Sequence, residues 1–148
     1  MIEHLLTPLI SQRILTEEHY RQGHLRVINA LNDTRIIGVH IPKLKQLAGE
    51  LSKSPDAAEL ISSFESEDSL GRLCIEEKLL WGLMINALKA TEQHKLALLS
   101  AFIPAMDNWA VCVRSAAISS GLKIKMPFVS ICSRISSRIK SLKCVLLW

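Results

Sequence analysis

Two stretches of the chain carry the same apolar spacing, and that spacing restricts both to helix. Leu44, Leu47, Ala48 and Leu51 fall at i, i+3, i+4 and i+7, and Ala57, Leu60, Ile61 and Phe64 repeat the pattern. At about 3.6 residues per turn each set lines one side of a helix, whereas a strand would scatter it over both faces. Each stripe follows a start signal. Pro42 stands where the first turn of a helix has no use for an N–H, and Lys43, Lys45, Gln46 and Glu50 fill the opposite side. Ser54-Pro55-Asp56 offers a cap, a proline and then an acid for the positive end of the helix dipole.

The same reasoning extends along the first 112 residues. Residues 3–14 and 17–31 read as two helices, the second capped by Thr16 with Glu17 and Glu18 in its first turn. Asn32-Asp33-Thr34 breaks the pattern, and Gly38 sits in the connection that follows. Residues 65–72 read as a polar connector. The segment 74–89 is the strongest helix: Ile75, Leu79, Leu80, Leu83, Met84, Ala87 and Leu88 are apolar on one side, while Trp81 and Ile85 lie off it. Such a helix is buried on most sides. Thr91 caps a further helix with Leu96, Leu99, Phe102 and Ile103 inward, bent or ended by Pro104. Asp107 can cap a helix that carries Asn108 and Trp109. Short helices joined by brief loops, without strand alternation, predict an all-α fold, either a bundle or an α-solenoid. No strict repeat is visible, which weakly similar HEAT-type repeats allow.

Bulk properties narrow the function classes. The chain has 148 residues, enough for one domain with a real core. Mean hydropathy is +0.23, yet no apolar run reaches the roughly 18 residues a membrane helix needs. The first residues, MIEHLLTPLISQRIL, lack the basic start and small-residue cleavage site of a signal peptide, so a cytoplasmic location is expected. Cys74, Cys112, Cys132 and Cys144 contain no CxxC pair, and His4, His19, His24, His40 and His94 are scattered, so no metal and no cofactor is expected. The net charge of +4 is unevenly spread: residues 1–112 hold 11 basic and 14 acidic residues, and residues 113–148 hold 7 basic and none acidic. The basic balance therefore belongs to the tail and is no evidence of a nucleic-acid surface on the helical part.

Three segments, in this order and spacing, resemble one family. GVHIPKLKQLA at 38–48 resembles the Gly-Val-x-x-Pro-x-Leu-Arg/Lys-x-Leu-Ala signature of AlkD-like DNA alkylation repair proteins. EEKLLWGLMI at 76–85 resembles that family's Glu-Glu-Arg/Lys-Leu-Leu helix, and FIPAMDNWAVC at 102–112 resembles the segment leading to its active site. The resemblance covers residues 1–112, the N-terminal half of the family domain. It implies a superhelix of HEAT-like repeats, here truncated, whose concave surface holds duplex DNA with alkylated purines. It also implies excision of cationic N3- or N7-alkylpurines without flipping the base, unlike the usual glycosylase.

The implied chemistry is physically coherent. An alkylated purine is already cationic and leaves without a general acid, while positive charge grows on the deoxyribose. An indole face attracts that charge, and a carboxylate stabilises it and positions water. The family supplies a tryptophan and, one helical turn later, an aspartate. Trp109 matches the tryptophan, but Val113 stands at the aspartate's position, so no catalytic set is intact. Whether the chain is an enzyme is accordingly open. The resemblance places Trp109 and Asn108, with Lys43 and Lys45, on the DNA side. For Trp109 the plain alternative is packing between helices; for Lys43, Lys45 and Arg72 it is a solvated surface. Glu76 and Glu77 resemble a catalytic pair only in sequence, since neighbours on a helix point about 100° apart, and a solvated or structural role is expected. A non-catalytic helical scaffold for protein partners or unusual DNA is the alternative function.

After Cys112 the resemblance stops. The tail has eight serines, no acid and no helical stripe. Shifting the frame by one base lets the codons of residues 130–148 encode YLQPYFFSDKEFEVRFAM, similar to the family's downstream helices. At the junction, TGC GAT TCG TTC TGC encodes Cys-Asp-Ser-Phe-Cys; losing the single A yields Cys112, Val113, Arg114, Ser115 and the start of Ala116. Residues 113–148 are therefore expected to be an out-of-frame tail behind a helical domain of residues 1–112.

Overall fold

The structure, a computed structural model, describes residues 3–10, 18–27, 35–69, 71–106 and 111. These residues form six α-helices: α1 Glu3–Leu6, α2 Glu18–Val27, α3 Ile41–Leu51, α4 Ala57–Ser69, α5 Ile75–Ala87 and α6 Glu92–Phe102. Short 3-10 turns follow α1 at Thr7–Leu9 and α6 at Ile103–Ala105. Among the described residues the fold is all-α, with no strand; an isolated antiparallel bridge joins Ile10 to Val39. No helix among them is long and apolar enough to cross a membrane.

The stripes point inward as their spacing predicts. Leu44 and Ala48 of α3 and Ala57, Ile61 and Phe64 of α4 are buried, with Leu47, Leu51 and Leu60 packed beside them. Thr91 caps α6, its hydroxyl accepting the His94 amide at 3.3 Å. Leu99 and Phe102 of α6 are buried, and the helix gives way to a 3-10 turn at Pro104.

Three expectations are corrected. The helix expected over 3–14 ends at Leu6, because Pro8 brings no N–H and the chain tightens into a 3-10 turn. Ile10 is then extended and bridges Val39. The polar connector expected at 65–72 is helical through Ser69. Glu65, Glu67 and Asp68 give that stretch the look of a loop, yet glutamate is a good helix former. The stop comes from Gly71, whose φ of 66° lets its amide reach Asp68 O at 2.8 Å and the Arg72 amide reach Glu67 O at 3.1 Å. This is a Schellman closure, which favours glycine at the left-handed position. Third, Ala87 at the end of α5 is exposed.

The central element is α5, because α3, α4 and α6 all pack on it. Three partners on different sides explain why Ile75, Leu79, Leu80, Trp81, Met84 and Ile85 are all buried. Trp81 lies between Phe64 of α4, stacked at 6.1 Å, and Phe102 of α6, edge-on at 4.9 Å. Each such ring pair adds about 0.5–1.5 kcal/mol beyond area burial. Polar ties finish the joints: Lys78 of α5 pairs with Asp68 of α4 at 3.4 Å, and the Lys95 ammonium of α6 donates to Asn86 O near the end of α5 at 2.9 Å.

Because Phe64 is wholly buried against Trp81, Phe64→Ala lowers the unfolding free energy by about 3–5 kcal/mol. Urea titration followed by circular dichroism measures this directly.

Candidate functional site

The best-defined polar arrangement in the described residues lies at the start of α5, where two adjacent carboxylates are buried. Glu76 and Glu77 are each 3% exposed. They are not solvated, which corrects half of the sequence expectation; their structural role is the half that the geometry bears out. Being neighbours on a helix, they turn to different sides and hold different things.

Glu76 reaches across to the connection before α3. One of its oxygens accepts the Ile37 amide at 3.1 Å and the other accepts the Gly38 amide at 2.7 Å. Gly38 has φ 84°, a backbone state that a side chain makes costly. With Gly38 in that state, the successive Ile37 and Gly38 amides both reach one carboxylate. A further bond runs alongside, from the Ile75 amide to Arg35 O at 3.1 Å, and the Arg35 guanidinium donates to Arg72 O at 3.5 Å. Ile36, Ile37 and Val39 are buried around the joint. Glu77 acts locally: its carboxylate accepts the Cys74 amide at 2.8 Å, satisfying one of the N–H groups left over at the helix start. Both acids also sit where the helix dipole favours negative charge.

Cys74 is wholly buried beside them and is a free thiol. Burial, then the nearby Glu76 and Glu77 carboxylates, push its pKa far above the usual thiol range. It is therefore a neutral packing group and not a nucleophile. Among the described residues no three His, Cys, Asp or Glu side chains converge as metal ligands.

The residues expected to face DNA are not brought together here. Lys43 and Lys45 are exposed on α3. Arg72 is exposed and pairs with Glu67 at 3.8 Å. Trp109, Asn108 and Val113 lie outside the described residues, as do Asp107 and residues 113–148. The Glu76 clamp is the arrangement that residue-by-residue reading missed. Its signals were present, namely a lone glycine in a connection and a glutamate in the first turn of the most apolar helix. Nothing in the sequence pairs two residues 38 positions apart.

No protein-family model, curated protein or solved structure matches the chain.

Since Cys74 is neutral and enclosed, it resists alkylation by iodoacetamide at pH 8 in the folded chain and reacts once urea unfolds it. Peptide mapping by mass spectrometry separates Cys74 from the other three cysteines; rapid labelling of Cys74 under native conditions contradicts the assignment.

Proposed function

We propose that residues 1–112 are the N-terminal part of an AlkD-like DNA alkylation repair domain built of HEAT-like helical repeats. The reading includes an out-of-frame tail from Val113 onward, which leaves the chain without the carboxylate that excision requires. The observation that carries it is the Glu76 clamp. Two of the three segments on which the resemblance rests, 38–48 and 76–85, meet through the hydrogen bonds from Gly38 and Ile37 to Glu76. The glycine of one segment thus has a physical partner in the other: Gly38 donates its amide and Glu76 accepts it. Pro42 and Leu44 open and anchor α3 in the same unit.

In this reading, duplex DNA with cationic alkylpurines is the partner, and Trp109 with Asn108 faces the lesion. Lys43 and Lys45, exposed on α3, meet backbone phosphates. Binding of that kind is governed by counterion release and falls with salt. Catalysis would need a carboxylate one turn after Trp109 to stabilise the developing oxocarbenium ion. Valine at 113 has neither charge nor hydrogen-bonding capacity, so this chain excises little or nothing. The same valine favours a second reading, a non-catalytic helical scaffold that binds unusual DNA or a protein partner.

On a duplex containing N7-methylguanine, the 148-residue chain releases no base above background. The product of the gene with one base restored at the junction releases it faster by roughly 10²–10⁴-fold, the range associated with a positioned acid–base group. Robust release by the 148-residue chain overturns the reading, as does a gene whose restored frame encodes no aspartate after Cys112.

Lys43→Glu and Lys45→Glu are each expected to reduce the salt slope of duplex binding by about one, the signature of a lost phosphate contact. Fluorescence anisotropy across a salt series tests this; unchanged slopes move DNA to another face or favour the scaffold.

A further inference from the structure

We propose that the Ile37 and Gly38 amides form a small-carboxylate binding site whose resident ligand is the Glu76 side chain, and that filling this site docks the segment from Arg35 to Leu51 onto α5. The two amides meet the carboxylate one per oxygen, at 3.1 and 2.7 Å. Both amides and the carboxylate are buried. At Gly38, whose φ is 84°, two successive N–H groups are directed at one acceptor, a backbone pairing that suits an anion.

Leaving such donors buried without a partner is costly, and hydrogen bonds to a charged acceptor are the strong ones. The turn and the acid therefore stabilise each other, although they are 38 positions apart. Glu77 provides the contrast. It takes one amide, three residues away at the start of its own helix, so it closes a helix end and, among the described residues, joins nothing distant. Truncating Glu76 to alanine removes the carboxylate and its methylenes while leaving both donors, a polar space shaped for formate or acetate.

The test is amide hydrogen exchange by NMR on the full 148-residue chain. In the wild-type chain the Ile37 and Gly38 amides are protected. In Glu76→Ala they exchange faster by about tenfold or more, the loss expected for a charge-assisted hydrogen bond. Added formate restores their protection, and chloride at equal ionic strength does not. Glu77→Ala leaves Ile37 and Gly38 protected and speeds exchange at Cys74. If Glu76→Ala does not fold, Glu76→Gln serves: its single remaining oxygen acceptor keeps one of the two amides protected and releases the other. Unprotected Ile37 and Gly38 amides in the wild-type chain overturn the proposal. So does a folded Glu76→Ala variant whose amides ignore formate or respond equally to chloride.

Discussion

A buried carboxylate holding two backbone amides across 38 residues is the constraint on which the rest of this structure depends. Taking a carboxylate out of water costs on the order of several kcal/mol, and only strong partners offset it. Glu76 finds three: the Ile37 amide, the Gly38 amide and the positive end of its own helix. Because removing any of them would strand the others, the turn before α3 and the start of α5 are set as one object. The Ile75 to Arg35 backbone bond lies in the same joint and runs the other way, the α5 amide donating to the connection. The position of α3 on α5 follows from this joint, and the Leu44 and Ala48 side chains then complete the packing.

From that joint the remaining helices accumulate around α5. A helix with α3, α4 and α6 as neighbours keeps little free surface, so its polar groups must either bond internally or be few. Glu76 and Glu77 comply by bonding to backbone. Trp81 does not: its indole N–H is buried without a hydrogen-bond partner among the described residues. Such a donor costs about 1–3 kcal/mol, which the flanking Phe64 and Phe102 rings offset. The core is thus aromatic at its centre and ionic at one end.

This arrangement bears on function through placement. Lys43 and Lys45 ride on α3, the helix that the Glu76 clamp orients, and they remain exposed. In contrast, α4 carries Glu59, Glu65, Glu67 and Asp68 without a basic residue. Exposed lysines thus lie on α3, and α4 carries carboxylates alone among its charged residues. The helical part is acidic in sum, so any phosphate contact must come from local placement and not from net charge.

The sequence by itself determined the helices and their inward faces: the i, i+3, i+4, i+7 stripes of α3 and α4 and the all-round apolarity of α5 are properties of local periodicity. It also determined the Thr91 cap, since a cap acts within one turn. Helix ends were less legible. The acids at 65–68 read as connector because propensity is weak against composition, and the stop at Gly71 rests on a left-handed backbone state that many glycines never adopt. Only the tertiary structure decided which helices surround α5, what Gly38 is for, and that Glu76 and Glu77 are inside. Those outcomes depend on contacts between residues tens of positions apart, and a linear pattern carries no measure of distance in space.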